Sequence, residues 1–151
     1  MKKLKLYLDN CCFNRPYDDQ ANQIISLEIE AKLYIQELIK TGKFDLTWSF
    51  ILDYENEQNP FQEIKDSIKI WKNLAIDYVP AIDLIREEAN KYVNLYNFGA
   101  KDSLHICSAI FGKCDYLLTT DKKMIKKGHL LENIIIINPI TFISIMEGTD
   151  D

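Results

Sequence analysis

The sequence predicts an α/β fold built on a parallel sheet with helices on both faces. Three observations predict it. The length, 151 residues, matches about one domain. Short extended apolar runs alternate with longer helical ones along the whole chain. Alternating β and α elements favour parallel strands, because each helix carries the chain back to the same edge of the sheet. Residues 1–151 are therefore read as a single domain, with no internal repeat and no low-complexity segment.

Each element has a local reason. Leu4 to Leu8 (LKLYL) is an extended run. Ala21 to Thr41 places Ile24, Ile25, Leu27, Ile29, Leu33, Ile35 and Leu38 at helical spacing, and Gly42 is placed to end it. Phe44 to Trp48 (FDLTW) predicts the second strand. Ser49 is a good N-cap for a short helix reaching about Glu57, which Asn59-Pro60 breaks. Phe61 to Leu74 reads as helix and Ile76 to Val79 as a strand that Pro80 ends. Ala81 to Tyr96 is helical, and Asn97-Phe98-Gly99 is a turn. Lys101 to Phe111 predicts a compact helix, with Ser103, Ser108 and Ala109 allowing close packing. Tyr116 to Thr119 and Ile134 to Ile137 are the last two strands, and a short helix runs from Ile140 to Met146.

Composition narrows the function classes. At 47% apolar and 27% charged, the chain has enough apolar side chains for one packed core, which excludes a disordered tail. No apolar run approaches the roughly 18 residues needed to span a bilayer. Met1-Lys2-Lys3 is basic, but Lys5 interrupts the apolar stretch after it and Asp9 ends it, so no secretory signal is expected. The four cysteines, Cys11, Cys12, Cys107 and Cys114, lack zinc-knuckle spacing and read as reduced thiols of a cytoplasmic protein. The net charge of −5 repels phosphates over the whole molecule. A nucleic-acid partner would have to be held by a local basic patch, a metal ion or a second protein.

Parallel α/β sheets bind ligands outside the carboxyl ends of their strands. Asp9 directly succeeds the first strand, and Asp121 succeeds the fourth after Thr119 and Thr120. Asp102 opens the compact helix and heads a stripe that continues through His105, Ile106 and Ala109. Glu55 extends the apolar stripe of Trp48, Ile51 and Leu52, where a carboxylate is costly unless paired or bound to metal. Asp53 and Glu57 lie on a different face and read as solvated, although either stays open as a substitute for Glu55. Four converging carboxylates would repel one another. A divalent cation removes that repulsion, and all-oxygen ligands favour Mg²⁺ or Mn²⁺ over zinc. The two histidines form no zinc pair, and His105 reads as a packed helix residue.

These stretches resemble the PIN-domain nuclease family, which includes the VapC-type toxins. The matching segments are LYLDNCCFN around Asp9, SFILDYE ending at Glu55, AKDSLHICSAI around Asp102 and CDYLLTTDKKM around Asp121. They occur in the family's order over residues 4–137. The resemblance implies a five-stranded parallel sheet in the order 3-2-1-4-5 and an acidic pocket of Asp9, Glu55, Asp102 and Asp121. In that pocket Asp9, Asp102 and Asp121 would hold the metal, Glu55 would position a water or a second, weaker metal, and Thr119 or Thr120 would lend a hydroxyl. It also implies RNA cleavage leaving a 5′-phosphate and a 3′-hydroxyl, a cognate antitoxin as partner, and a homodimer. The chain departs from the family's pattern at two places. Asn10 occupies the place after the first Asp where the family usually has Ser or Thr. Lys122 and Lys123 come after the last Asp, where some relatives carry a further acid.

Phosphates must still approach this acidic chain. Lys122, Lys123, Lys126 and Lys127 lie within two helical turns of Asp121, and Arg15 lies in the first loop. These are the candidate backbone contacts. The alternative reading is a PIN-like module that binds RNA or protein without turnover. A phosphoryl-transfer domain fits less well, because Asn10, Cys11 and Cys12 after Asp9 do not form a DxDxT nucleophile loop. A thiol nucleophile at Cys107 is set aside because His105, two residues away on a helix, points elsewhere.

Overall fold

The computed structural model describes residues 3–13 and 23–148. Five strands form one sheet: β1 (Lys5–Leu8), β2 (Asp45–Ser49), β3 (Asp77–Val79), β4 (Tyr116–Leu118) and β5 (Ile135–Ile137). Their spatial order is β3-β2-β1-β4-β5, and every neighbouring pair is parallel. The parallel architecture is the one the alternating elements predict, and the strand order is the one the family resemblance implies.

Among the described residues, seven helices connect and flank the strands: α1 (Gln23–Lys40), α2 (Phe50–Glu57), α3 (Gln62–Leu74), α4 (Asp83–Tyr96), α5 (Ala100–Phe111), α6 (Lys122–Gly128) and α7 (Pro139–Gly148). A short 3₁₀ turn at Asn10–Cys12 comes after β1. That turn and α6 are additions to the elements assigned from apolar spacing. Both are too short, and α6 too lysine-rich, to carry a helical stripe.

The central strand explains the core. Leu6, Tyr7 and Leu8 are all buried although successive strand residues point to opposite faces. Burial on both faces marks the middle of a covered parallel sheet. On one face α1 and α7 pack together, with Phe142 of α7 edge-on to Phe44 and Tyr116. On the other, Tyr7 meets α5 at His105. Phe13 sits between Trp48 and Trp71, at 5.2 and 5.9 Å between ring centroids. It closes the turn after β1 onto β2 and α3. Gly128 ends α6 so close to β5 that a Cβ there would lie 2.9 Å from the Ile136 side chain. This close approach seats α6, and the Asp121 that caps it, against the sheet.

Candidate active site

The site forms where β1, β2 and β4 end on the same edge. Asp9 is the first residue past β1, and its backbone N–H still donates to the Leu118 carbonyl of β4 at 3.0 Å. The Asp9 carboxylate caps the 3₁₀ turn, with Oδ1 accepting from the Asn10 N–H at 2.7 Å. Oδ2 accepts the Thr119 hydroxyl at 2.8 Å. The same Thr119 oxygen accepts the Asp121 N–H at 3.1 Å. Thr119 is fully buried and ties the loops after β1 and β4 into one unit. Asp121 then caps α6, accepting the N–H groups of Lys123 and Met124 at 3.0 and 3.1 Å.

Ser49 ends β2 and caps α2, where its Oγ accepts the Leu52 N–H at 3.3 Å. Glu55 lies on that helix and is hydrogen-bonded through Oε1 to His105 Nε2. Asp9, Glu55 and His105 each offer an atom within 4.8 Å of the others. Asp102, in the first turn of α5, completes the cluster electrostatically. Burial pushes its carboxyl above the usual carboxylate range, and the nearby Asp121, Asp9 and Glu55 push it further, against an opposing pull from His105. Each of the other three acids picked out in the sequence thus acts on Asp102 as a like charge. No donor among the described residues hydrogen-bonds Asp102.

The other sequence candidates play different parts. Asn10 contributes its backbone N–H to Asp9 rather than a side-chain contact. Thr120 donates to the Cys11 sulfur at 3.5 Å, not to a carboxylate. Lys122, Lys123, Lys126 and Lys127 all lie on α6, and Lys127 donates to the Asn97 carbonyl at 2.6 Å. Arg15 lies outside the described residues. Among the acids of α2, Glu57 pairs with Lys65 and Lys69. Asp53 is not simply solvated: it accepts from Trp48 Nε1 at 2.8 Å, Tyr78 OH at 2.7 Å and Lys72 Nζ at 3.1 Å. The buried indole N–H of Trp48 needs an acceptor, and Asp53 supplies it. Only Glu55 of the three turns toward Asp9.

Two features of the site escape a reading of the sequence. His105 is not merely a packed helix residue: it is buried, with Nδ1 2.6 Å from Tyr7 OH and Nε2 on Glu55. Burial disfavours its charged form, but Glu55, Asp9 and Asp102 outweigh that and raise it above an ordinary histidine. Burial likewise holds the Tyr7 phenol well above its usual value. The second feature is Cys11, whose sulfur lies 3.8 Å from Asp9 Oδ2. A hydrogen bond from Cys12 lowers this thiol to about 7, against burial and the charge of Asp9. Cys107, by contrast, is pushed up to about 12 by burial. Tyr7, set between two leucines of the first strand, is the one available signal for the first feature, since a buried Tyr hydroxyl usually finds a partner.

The donor set suits a hard cation. Asp9, Glu55, Asp102 and Asp121 keep free oxygen lone pairs, while both nitrogens of His105 are engaged. No family model matches the chain, and no curated protein matches it. Among solved structures, the chain is similar to a chain of VapBC2 from Rickettsia felis bound to a DNA fragment from their promoter. The TM-score is 0.55 at 14% identity, covering 89% of this chain and 98% of that one. The likeness is one of fold.

Proposed function

We propose that the protein is a metal-dependent endoribonuclease that hydrolyses RNA phosphodiester bonds at the four-carboxylate site. What supports this reading is that Asp9 and Glu55, from different parts of the fold, meet beside His105, with Asp102 raised by Asp121, Asp9 and Glu55. That arrangement costs stability unless positive charge enters it. Asp9, Asp102 and Asp121 would hold Mg²⁺ or Mn²⁺. The bound cation supplies a more acidic water and offsets charge on the leaving oxygen. Thr119 holds Asp9 and the start of the Asp121 loop in fixed relation, and Glu55 faces the water. Lys122, Lys123 and Lys126 stand on the helix that Asp121 caps, to meet phosphates.

The resemblance to VapC-type toxins adds an antitoxin as the protein partner, and the solved VapBC2 structure supports that addition. A homodimer belongs to the same reading. None of the described helices is long and apolar enough to cross a membrane. All four cysteines are free, in keeping with a cytoplasmic site of action.

The test is cleavage of a mixed pool of labelled single-stranded and transfer RNAs with Mg²⁺, with Mn²⁺ and with chelator. Metal-dependent cleavage by the wild type, lost in Asp9→Asn and Asp102→Asn, is the expected result. Binding without cleavage under every metal would replace this reading with a non-catalytic RNA- or protein-binding module.

A further inference from the structure

We propose that His105 is a positioning residue, which through a hydrogen-bond chain anchored at Ser49 holds Glu55 as a proton-accepting carboxylate outside the cation's ligand shell. The proposal rests on the nuclease reading above and adds the residues that decide the role of Glu55.

The chain runs through four elements. The Leu52 N–H of α2 donates to Ser49 Oγ. Ser49 Oγ is 2.6 Å from Tyr7 OH on β1, and Tyr7 OH is 2.6 Å from His105 Nδ1 on α5. His105 Nε2 meets Glu55 on α2. Tyr7, Ser49 and His105 are all buried, so water does not complete their bonding.

Counting hydrogens orients the chain. An ionised Glu55 only accepts, so Nε2 must carry the hydrogen between them. In the neutral ring Nδ1 is then bare and accepts from Tyr7 O–H. Tyr7 in turn accepts from Ser49 O–H, and Ser49 accepts from Leu52 N–H. Every link then has one donor and one acceptor. In the charged ring the Tyr7 hydroxyl reverses to accept from Nδ1, but Nε2 still donates to Glu55. The direction at Glu55 is the same in both forms.

That direction has a consequence for the cation. Nε2 is bonded to Glu55 and stands 3.7 Å from Asp9 Oδ1. It presents a hydrogen, not a lone pair, between these two carboxylates, so His105 would not itself ligate a cation there and its N–H would disfavour one. Were a cation held by Asp9, Asp102 and Asp121, Glu55 would be left to act on the water. In hydrolysis the water oxygen bonds to phosphorus and the bond from phosphorus to the 3′ oxygen breaks. Glu55 takes the proton that the water loses and later returns it to bulk water, which supplies the proton the 3′ oxygen gains.

Two measurements test this. The first is Mn²⁺ affinity by titration calorimetry, which needs no turnover. Asp9→Asn and Asp121→Asn should weaken Mn²⁺ at least about tenfold, while Glu55→Gln should stay within about twofold of wild type. Equal weakening by Glu55→Gln would make Glu55 a ligand and overturn the proposal even if cleavage is normal. The second separates two substitutions at His105. Gln can place its amide N–H near the Nε2 position and still donate to Glu55. Asn reaches only toward Tyr7. His105→Gln should keep kcat within about tenfold of wild type, and His105→Asn should lose about a hundredfold with KM unchanged. Equal losses in the two would show a purely structural histidine. Should either fail to fold, Tyr7→Phe keeps the ring and removes the hydroxyl. It should lower kcat with KM unchanged, and an unaltered kcat would overturn the chain. A wild type that binds no Mn²⁺ and cleaves no RNA would overturn the nuclease reading itself, and this inference with it.

Discussion

Asp53 and Asp102 are both partly buried acids at the start of helices on the same sheet, and their surroundings drive them in opposite directions. Burial raises the carboxyl of Asp53, but hydrogen bonds from Tyr78, Trp48 and Lys72 outweigh it and hold the group below the ordinary carboxylate range. Burial also raises Asp102, but there the neighbours are Asp121, Asp9 and Glu55, which add to the rise. A carboxylate supplied with donors holds a structure together. A carboxylate surrounded by other carboxylates destabilises it unless positive charge offsets the repulsion. Position in a helix does not separate the two. The company each keeps does.

Replacing Asp102 should therefore produce the largest effect and the clearest contrast. Asp102→Asn should reduce metal-dependent cleavage by at least about a hundredfold, since even outer-shell changes at metal sites reach that size. In chelator the same variant should melt higher than wild type. Relief of about 1 kcal/mol of like-charge repulsion corresponds to a rise of roughly 3 °C in a domain of this size. Adding Mn²⁺ should raise the wild-type Tm and leave the variant nearly unmoved. A variant that melts lower in chelator would show that Asp102 is held by donors after all, and the contrast with Asp53 would fail.

Asp53→Asn should behave in the opposite way. Cleavage should stay near wild type, while the fold loses about 1–2 kcal/mol, mainly from weakened acceptance of the Trp48 and Tyr78 hydrogens. The Lys72 pair adds little, because the Lys72 ammonium is exposed and the pair is screened by salt. The pH dependence comes from the direction of the shift. Asp53 is lowered in the folded state, so around and below its ordinary value of 3.8 the unfolded chain binds more protons. Its contribution is present above that value and is lost as pH falls through the lower, folded one. The Tm gap between wild type and Asp53→Asn should be constant from pH 7 to about 5 and narrow below about 4. A gap that is unchanged at low pH would mean that ionisation of Asp53 contributes nothing.

The same contrast marks how far the sequence can be read. Strand positions and the parallel topology are legible because five short apolar runs are separated by stretches of helical spacing, with Gly42 placed to end the first helix and Pro80 the third strand. Asp9, Asp102 and Asp121 are legible because each sits at a strand end or opens a helix. Glu55 is legible from its place on the Ile51 and Leu52 stripe. The environment of Asp53 is not, because Trp48, Lys72 and Tyr78 come from β2, α3 and β3 and meet only in three dimensions. His105 is hidden for the same reason. Its helical position predicts burial, which is correct, but Tyr7 and Glu55 approach it from β1 and α2. Partners separated by 98 and 50 residues leave no local spacing to detect.

The smallest effect concerns the lysines, and it carries the comparison from acids to bases. Lys127 is committed within the fold, donating to the Asn97 carbonyl at the end of α4. Lys122 and Lys126 are one helical turn apart and line an open groove of about 470 Å³ with His129 and Glu28. Neither pairs with a carboxylate among the described residues. Uncommitted ammonium groups release counterions when phosphate binds, and each contributes about 0.7 to the slope of log K against log salt for a single strand. The Lys122→Gln, Lys126→Gln double variant should therefore flatten the slope for single-stranded RNA by about 1.4. Lys127→Gln should flatten it by less, because its charge is already partly satisfied. Measuring affinity at four salt concentrations with chelator present keeps cleavage out of the reading. A slope unchanged in the double variant would place the phosphate track elsewhere on the molecule. A slope flattened most by Lys127→Gln would show that the bond to Asn97 opens on binding, so that commitment in the free protein does not predict which charges meet the substrate.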